Sequence, residues 1–257
     1  MGEFVAKYNW NRKHYIAITK KAFNKLLSFG ASLRAYTLRP TGRNLSTITY
    51  YDTPENLLQR TGILFYKTSE NGKCFFKLEK LSFLPKTLKK NDEQIFVHEI
   101  SQRDTPEEHS LYLIDAITSM FSTQFRIDLE NVIKSVRPKL VIEIRADVYK
   151  VYGGTGFKCD MALENVVYRN FETKRKVKCK EVTFTLDSPQ QFRKNYDEFL
   201  ALVNKHCKDI VEMNESRYEH AKNLTKPITP VDKKNLQNYK KQKEKETKRR
   251  PEDIIEG

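Results

Sequence analysis

The chain has 257 residues, 39% of them hydrophobic, enough for one large domain or two small ones with a buried core. Lysine and arginine outnumber aspartate and glutamate by 47 to 33, and the net charge of +14 points to anionic partners: nucleic acid, polyphosphate, nucleotide or an acidic membrane surface. No stretch approaches the ~18 consecutive apolar residues of a membrane span, and Cys74, Cys159, Cys179 and Cys207 form no CxxC pair, so neither a transmembrane helix nor a zinc site is expected.

From the N-terminus, Phe4, Ala6 and Tyr8 alternate with Glu3, Val5 and Lys7, the period of a strand. The opening MGEFVAKY has neither the pattern of a secretory signal nor that of a myristoylation site, and a cytoplasmic protein with reduced thiols is expected. Thr19 can cap a helix running to Phe29, with Ala22, Phe23, Leu26 and Leu27 on one face and Gly30 as its stop. Tyr50–Lys67, YYDTPENLLQRTGILFYK, reads as a strand end, a turn at Asp52-Thr53-Pro54, a short helix Glu55–Arg60, a stop at Gly62 and a strand from Ile63 to Thr68. After the turn Asn71-Gly72, Phe75, Lys77 and Glu79 oppose Phe76, Leu78 and Lys80 on a further strand.

Thr105-Pro106-Glu107-Glu108 combines a cap, a proline at the first helical position and a capping-box glutamate, and opens a helix carrying Leu111, Leu113, Ile114, Ile117, Met120 and Phe121. A short helix follows at Asp128–Ser135. In Leu140–Val151, Ile142, Ile144, Ala146 and Val148 oppose Glu143, Arg145 and Asp147. In Phe157–Glu164, Phe157, Cys159, Met161 and Leu163 oppose Lys158, Asp160, Ala162 and Glu164. In Glu181–Leu186, Val182, Phe184 and Leu186 oppose Glu181, Thr183 and Thr185. Ser188-Pro189-Gln190-Gln191 repeats the capping device before a long helix with Phe192, Tyr196, Phe199, Leu200 and Val203, and another helix covers Ser216–Leu224. Residues 1–224 read as the folded domain. The segment 225–257 reads as a basic tail too poor in apolar residues to order itself; Lys226–Gly257 carries a net +4, leaving +10 on the body. Alternation of this kind fits a sheet with one face in water, and it equally fits a closed barrel with helices outside and charges inside.

Glu3-Phe4-Val5-Ala6-Lys7, YYDTPENLLQRTG, CFFKLEK, Arg137–Arg145, FKCDMALENV, KEVTFTL and Ser216-Arg217-Tyr218-Glu219-His220-Ala221 follow one another in the order of the motifs of the CYTH, or triphosphate tunnel, family. The chain resembles that family over Glu3–Leu224, and Arg137–Arg145 is also similar to its polyphosphate-polymerase branch. The resemblance implies an α+β fold: a closed antiparallel barrel of about eight strands, its charged interior forming a tunnel and its exterior flanked by amphipathic helices. It implies a triphosphate, polyphosphate or nucleotide ligand. Lys7, Lys77, Arg145, Lys158 and Arg217 are the implied phosphate contacts. Glu3, Glu164 and Glu181 are the implied ligands of Mg or Mn, with Glu3 and Glu181 catalytic and Glu143, Asp147 and Asp160 as further tunnel residues.

The sequence departs from the family where chemistry is concentrated. Val5 replaces a glutamate of the first-strand motif, Tyr66 and Thr68 stand where phosphate-gripping arginines are expected, and Thr183 and Thr185 replace glutamates of the late strand. Three functions therefore stay open: a metal-dependent triphosphate hydrolase, a module that binds the anion with little or no turnover, and an RNA-binding protein using its basic exterior and tail.

Overall fold

The computed structural model describes residues 3–6, 12–19, 21–32, 36–80, 94–100, 111–112, 114, 117, 129–186 and 192–227. Among these residues ten antiparallel strands form one sheet: β1 (Glu3–Ala6), β2 (Arg12–Ala17), β3 (Tyr36–Asp52), β4 (Ile63–Glu70), β5 (Lys73–Lys80), β6 (Gln94–Ile100), β7 (Arg137–Gly153), β8 (Lys158–Asn170), β9 (Lys176–Leu186) and β10 (Ile210–Glu212). Their order is β1-β6-β5-β4-β3-β7-β8-β9-β2-β10. The α+β class is as expected, with ten strands rather than about eight. Among the described residues the hydrogen bonding leaves β1 and β10 as edges.

Local chemistry sets the connections. Asn71 (φ 52°) and Gly72 (φ 81°) both take positive φ, as a two-residue hairpin turn between β4 and β5 requires. The carboxylate of Asp52 accepts the backbone N–H of Thr53 (2.7 Å), Leu58 (2.8 Å) and Gln59 (3.0 Å), and Gly62 (φ 82°) ends the helix Leu57–Arg60 that they cap. The YYDTP landmark is thus a clasp that turns β3 back into β4.

The helix expected from Thr19 begins at Ala22 and runs through Gly30 to Ser32, so Gly30 does not stop it. The helices Leu129–Ser135, Arg193–His206 and Arg217–Leu224 lie where sequence places them. The two proline-containing capping devices, at 105–108 and 188–191, fall outside the described residues, as do Lys7 and the tail beyond Pro227. No helix among the described residues is long and apolar enough to cross a membrane.

Two apolar clusters cover one face of the sheet. In the first, Tyr15, Cys159, Met161, Leu163, Val182, Phe184 and Leu186 pack against Ala22 and Leu26 of one helix and Tyr196, Phe199 and Val203 of another. In the second, Ile63, Phe65 and Leu78 pack against Leu58, Ile117 and Ile133. A third cluster lies on the opposite face, where Tyr50, Leu140, Ile142, Ile144, Val166 and Tyr168 receive Tyr218 and Ala221 of the helix Arg217–Leu224. That helix closes one end of the face carrying the candidate site.

Candidate functional site

Side chains from seven consecutive strands, β5 through β2, line one cavity of about 450 Å³ on this face. β4 and β2 are five strand spacings apart, about 24 Å in a flat sheet. Glu70 of β4 and Arg12 of β2 nonetheless line the same cavity, and the Glu70 carboxylate acts on the Arg12 guanidinium. The sheet therefore curls, with this face concave.

Register stacks the concave face in rows. One row runs Arg39, Lys150, Asp160, Thr185, Arg12 across β3, β7, β8, β9 and β2, each residue directly opposite the next. Lys150 is paired with Asp160 at 2.7 Å. Above it, the Tyr152 ring lies 5.2 Å from the Arg39 guanidinium and 5.9 Å from the Lys158 ammonium. Two rows deeper, the sequence Asn44, Ala146, Glu164, Glu181, Ile16 sets the two glutamates face to face in β8 and β9.

Glu164 and Glu181 are 3% and 0% exposed, so their charge must be met locally. Arg217, 9% exposed, reaches down from its helix and donates through Nη2 to Oε2 of Glu164 and, at 3.0 Å, to Oε2 of Glu181. Thr183 Oγ1 donates to Oε1 of Glu164 at 3.0 Å, and the Tyr168 hydroxyl donates to Oε1 of Glu181. Burial pushes the Glu181 carboxyl above the usual carboxylate range despite Arg217 and Tyr168. The two carboxylates outweigh burial at Arg217 and raise its pKa further.

Arg12 keeps half of its side chain exposed and only grazes Glu164, at 4.0 Å. Burial and then the repulsion of Arg217 lower its pKa. The Lys77 ammonium touches no carboxylate among the described residues and lies 5.9 Å from the Phe75 ring. Its pKa is lowered chiefly by burial, with Arg12 adding repulsion against the attraction of Glu70. His14, on β2 between Arg12 and the buried cluster, is pushed down to about 2 by burial, Arg217 and Arg12.

Of the residues implied by the sequence, Lys77, Asp160, Glu164 and Arg217 line the cavity, and Glu181 joins Arg217 at its base. Lys158 lies at the rim on the same face, beyond the enclosed volume. Glu143, Arg145 and Asp147 are not brought in. On β7 it is Ile144, Ala146 and Val148 that line the cavity, and strict two-residue alternation sends the charged row to the other face. There Glu143 pairs with Arg169 and Asp147 with Arg43, each at 3.1 Å, and Arg145 is exposed. Glu3 is placed by backbone register alone: it pairs with Val97, which pairs with Lys77. Tyr66, Thr68, Thr183 and Thr185, the departures from the family pattern, line the cavity. Sequence reading missed Arg12, His14 and Tyr168; the alternation of Arg12, His14 and Ile16 against Lys13, Tyr15 and Ala17 was the available signal for β2.

A hard divalent cation takes about six or more oxygen ligands, carboxylates foremost. Among the described residues no three His, Cys, Asp or Glu side chains group as such a site. Glu164 and Glu181, the two donors that do meet, have each oxygen engaged by a protein donor. The described residues do not fit Mg or Mn.

No family model matches the sequence, and no curated protein does. Solved structures with a similar chain course include a candidate adenylate cyclase of Bacillus halodurans, 12% identical, covering 82% of this chain and 98% of its own, with a TM-score of 0.47. A candidate adenylyl cyclase of Hippeastrum, described as having a dominant triphosphatase activity, is 10% identical, covering 86% and 98%, with a TM-score of 0.42. An inorganic triphosphatase is 11% identical, covering 71% and 79%, with a TM-score of 0.27. At these values the reading of function rests on this chain's own geometry.

Proposed function

We propose that the concave face binds a triphosphate- or polyphosphate-type anion, with Arg12 and Lys77 as its principal phosphate contacts and the curled sheet closing around it as a tunnel. The observation that carries this reading is the convergence of those two cations. They come from β2 and β5, near opposite ends of the strand order, into one cavity. Burial is the first cause that lowers the pKa of each, and Lys77 touches no carboxylate among the described residues. Arg12, half-exposed, and Lys77, part-buried, repel each other across the cavity and are stabilised by an anion placed between them, and a chain of phosphates offers acceptors to both.

Thermal melting with and without tripolyphosphate tests it. A ligand selective for the fold at one hundred times its Kd adds about 2.7 kcal/mol, so the midpoint rises. Lys77→Met and Arg12→Gln lose most of that rise while keeping the ligand-free midpoint near wild type. No rise at millimolar tripolyphosphate overturns the reading. A second reading, hydrolysis of the bound anion, draws on the direct opposition of Glu164 and Glu181. Phosphate released by wild type and not by Glu181→Ala would carry it.

A further inference from the structure

Two buried carboxylates placed opposite each other on adjacent strands cannot both stay ionised unaided; a shared proton, a metal ion or a side-chain cation must offset them. Here the third solution is built in. All four oxygens of Glu164 and Glu181 are occupied: Oε2 of each by Arg217, Oε1 of Glu164 by Thr183 and Oε1 of Glu181 by Tyr168.

The arginine is also fixed from behind. Ser216 caps its helix by accepting the Glu219 N–H at 3.1 Å, and Tyr218 and Ala221, 8% and 0% exposed, anchor the next turn in the apolar end of the concave face. A guanidinium bridging two carboxylates in this way, with Thr183 and Tyr168 beside it, gives each of the four oxygens a protein donor. Thr183 and Arg217 thereby make one device with the pair of glutamates.

We infer that Arg217 is the resident cation of the Glu164–Glu181 pair and holds it against divalent metals, so that the cavity takes its phosphate ligand without Mg or Mn. The last clause rests on the proposed anion-binding function; the first does not. For a metal to enter, it must break the Arg217 contacts and leave a guanidinium buried without a partner, which is strongly unfavourable.

Mn²⁺ titration of the full chain, followed by electron paramagnetic resonance of the free ion and by melting, tests the first clause with no phosphate present. Wild type is expected to leave Mn²⁺ free and its midpoint the same in MnCl₂ as in EDTA. Arg217→Met is expected to melt lower than wild type in EDTA and to gain a Mn²⁺-dependent rise, with affinity increased on the order of tenfold or more as the competing cation is lost. Stoichiometric Mn²⁺ binding by wild type that Glu181→Gln abolishes overturns the inference, whether or not Arg217→Met folds. Tripolyphosphate then tests the second clause. An equal rise in EDTA and in MnCl₂ at matched free ligand supports it. A rise that needs MnCl₂ overturns it and leaves the proposed ligand standing. A rise in neither condition overturns it and the proposed ligand together, while the Mn²⁺ titration still decides the role of Arg217.

Discussion

At the scale of single residues, His14 gives the concave face a definite acid response. Its Nε2 is buried without a hydrogen-bond partner among the described residues, and Arg12 and Arg217 lie close enough to oppose a third positive charge. The folded state keeps the ring neutral down to about pH 2, whereas an unfolded histidine takes up a proton near pH 6.5. Below 6.5 the unfolded chain binds the extra proton, so stability is lost as pH falls. Glu181 acts in the opposite sense. Its raised carboxyl binds a proton in the fold at a pH where the unfolded chain has already lost it, which adds stability on the acid side. The prediction is therefore made on a difference. Between pH 7 and pH 5, wild type is expected to lose about 1–2 kcal/mol more than His14→Gln in urea unfolding. Equal losses in the two proteins would show that His14 titrates freely in the fold.

At the scale of elements, the helix Arg217–Leu224 does two things at once: it shuts one end of the concave face and delivers Arg217 to the carboxylates. Ser216→Ala removes the side-chain acceptor of the Glu219 N–H and is expected to destabilise the protein by about 1 kcal/mol in urea unfolding. The same substitution should loosen Arg217, so it should also sharpen the acid-side dependence that Glu181 contributes. This helix was legible in the sequence at Ser216–Leu224, because Ser216-Arg217-Tyr218-Glu219-His220-Ala221 is a local motif. The faces of β5, β8 and β9 were legible from local alternation: Lys77, Glu164 and Glu181 alternate with apolar neighbours that the outer helices cover. On β7 the rule of charges inward fails. Its apolar row faces Tyr50 and Tyr218 at the closed end, while Glu143 and Arg145 stand on the outer face clear of the two helix-covered clusters. Periodicity fixes which residues share a face but carries no information about which face is concave. That is decided by the helix returning from the far end of the chain, more than 60 residues downstream of β7's first turn.

At the scale of the whole molecule, the net charge of +14 divides between two units, with +10 on the residues before Lys226 and +4 on Lys226–Gly257. The cavity itself is not where this excess sits. Arg12, Lys77 and Arg217 are matched there by Glu70, Asp160 and Glu164, so the enclosed site is close to neutral and its cations act by position rather than by number. The surplus is carried by residues other than the cavity lining, Lys226–Gly257 among them, and a net positive field raises the local concentration of any polyanion and is screened by salt within about 8–10 Å. Contacts inside the cavity are screened far less. Ionic strength should therefore separate the two. Raising salt is expected to slow the association of tripolyphosphate while leaving its dissociation almost unchanged, because the first depends on the exterior field and the second on Arg12 and Lys77. A chain ending at Pro227 should retain the tripolyphosphate-dependent rise in melting midpoint and lose affinity for RNA, which has only the exterior and the tail to bind. Stopped-flow measurement on both forms distinguishes this from a tail-borne phosphate site: if the truncation removes the tripolyphosphate response while Lys77→Met preserves it, the anion binds on the tail and the cavity serves another ligand.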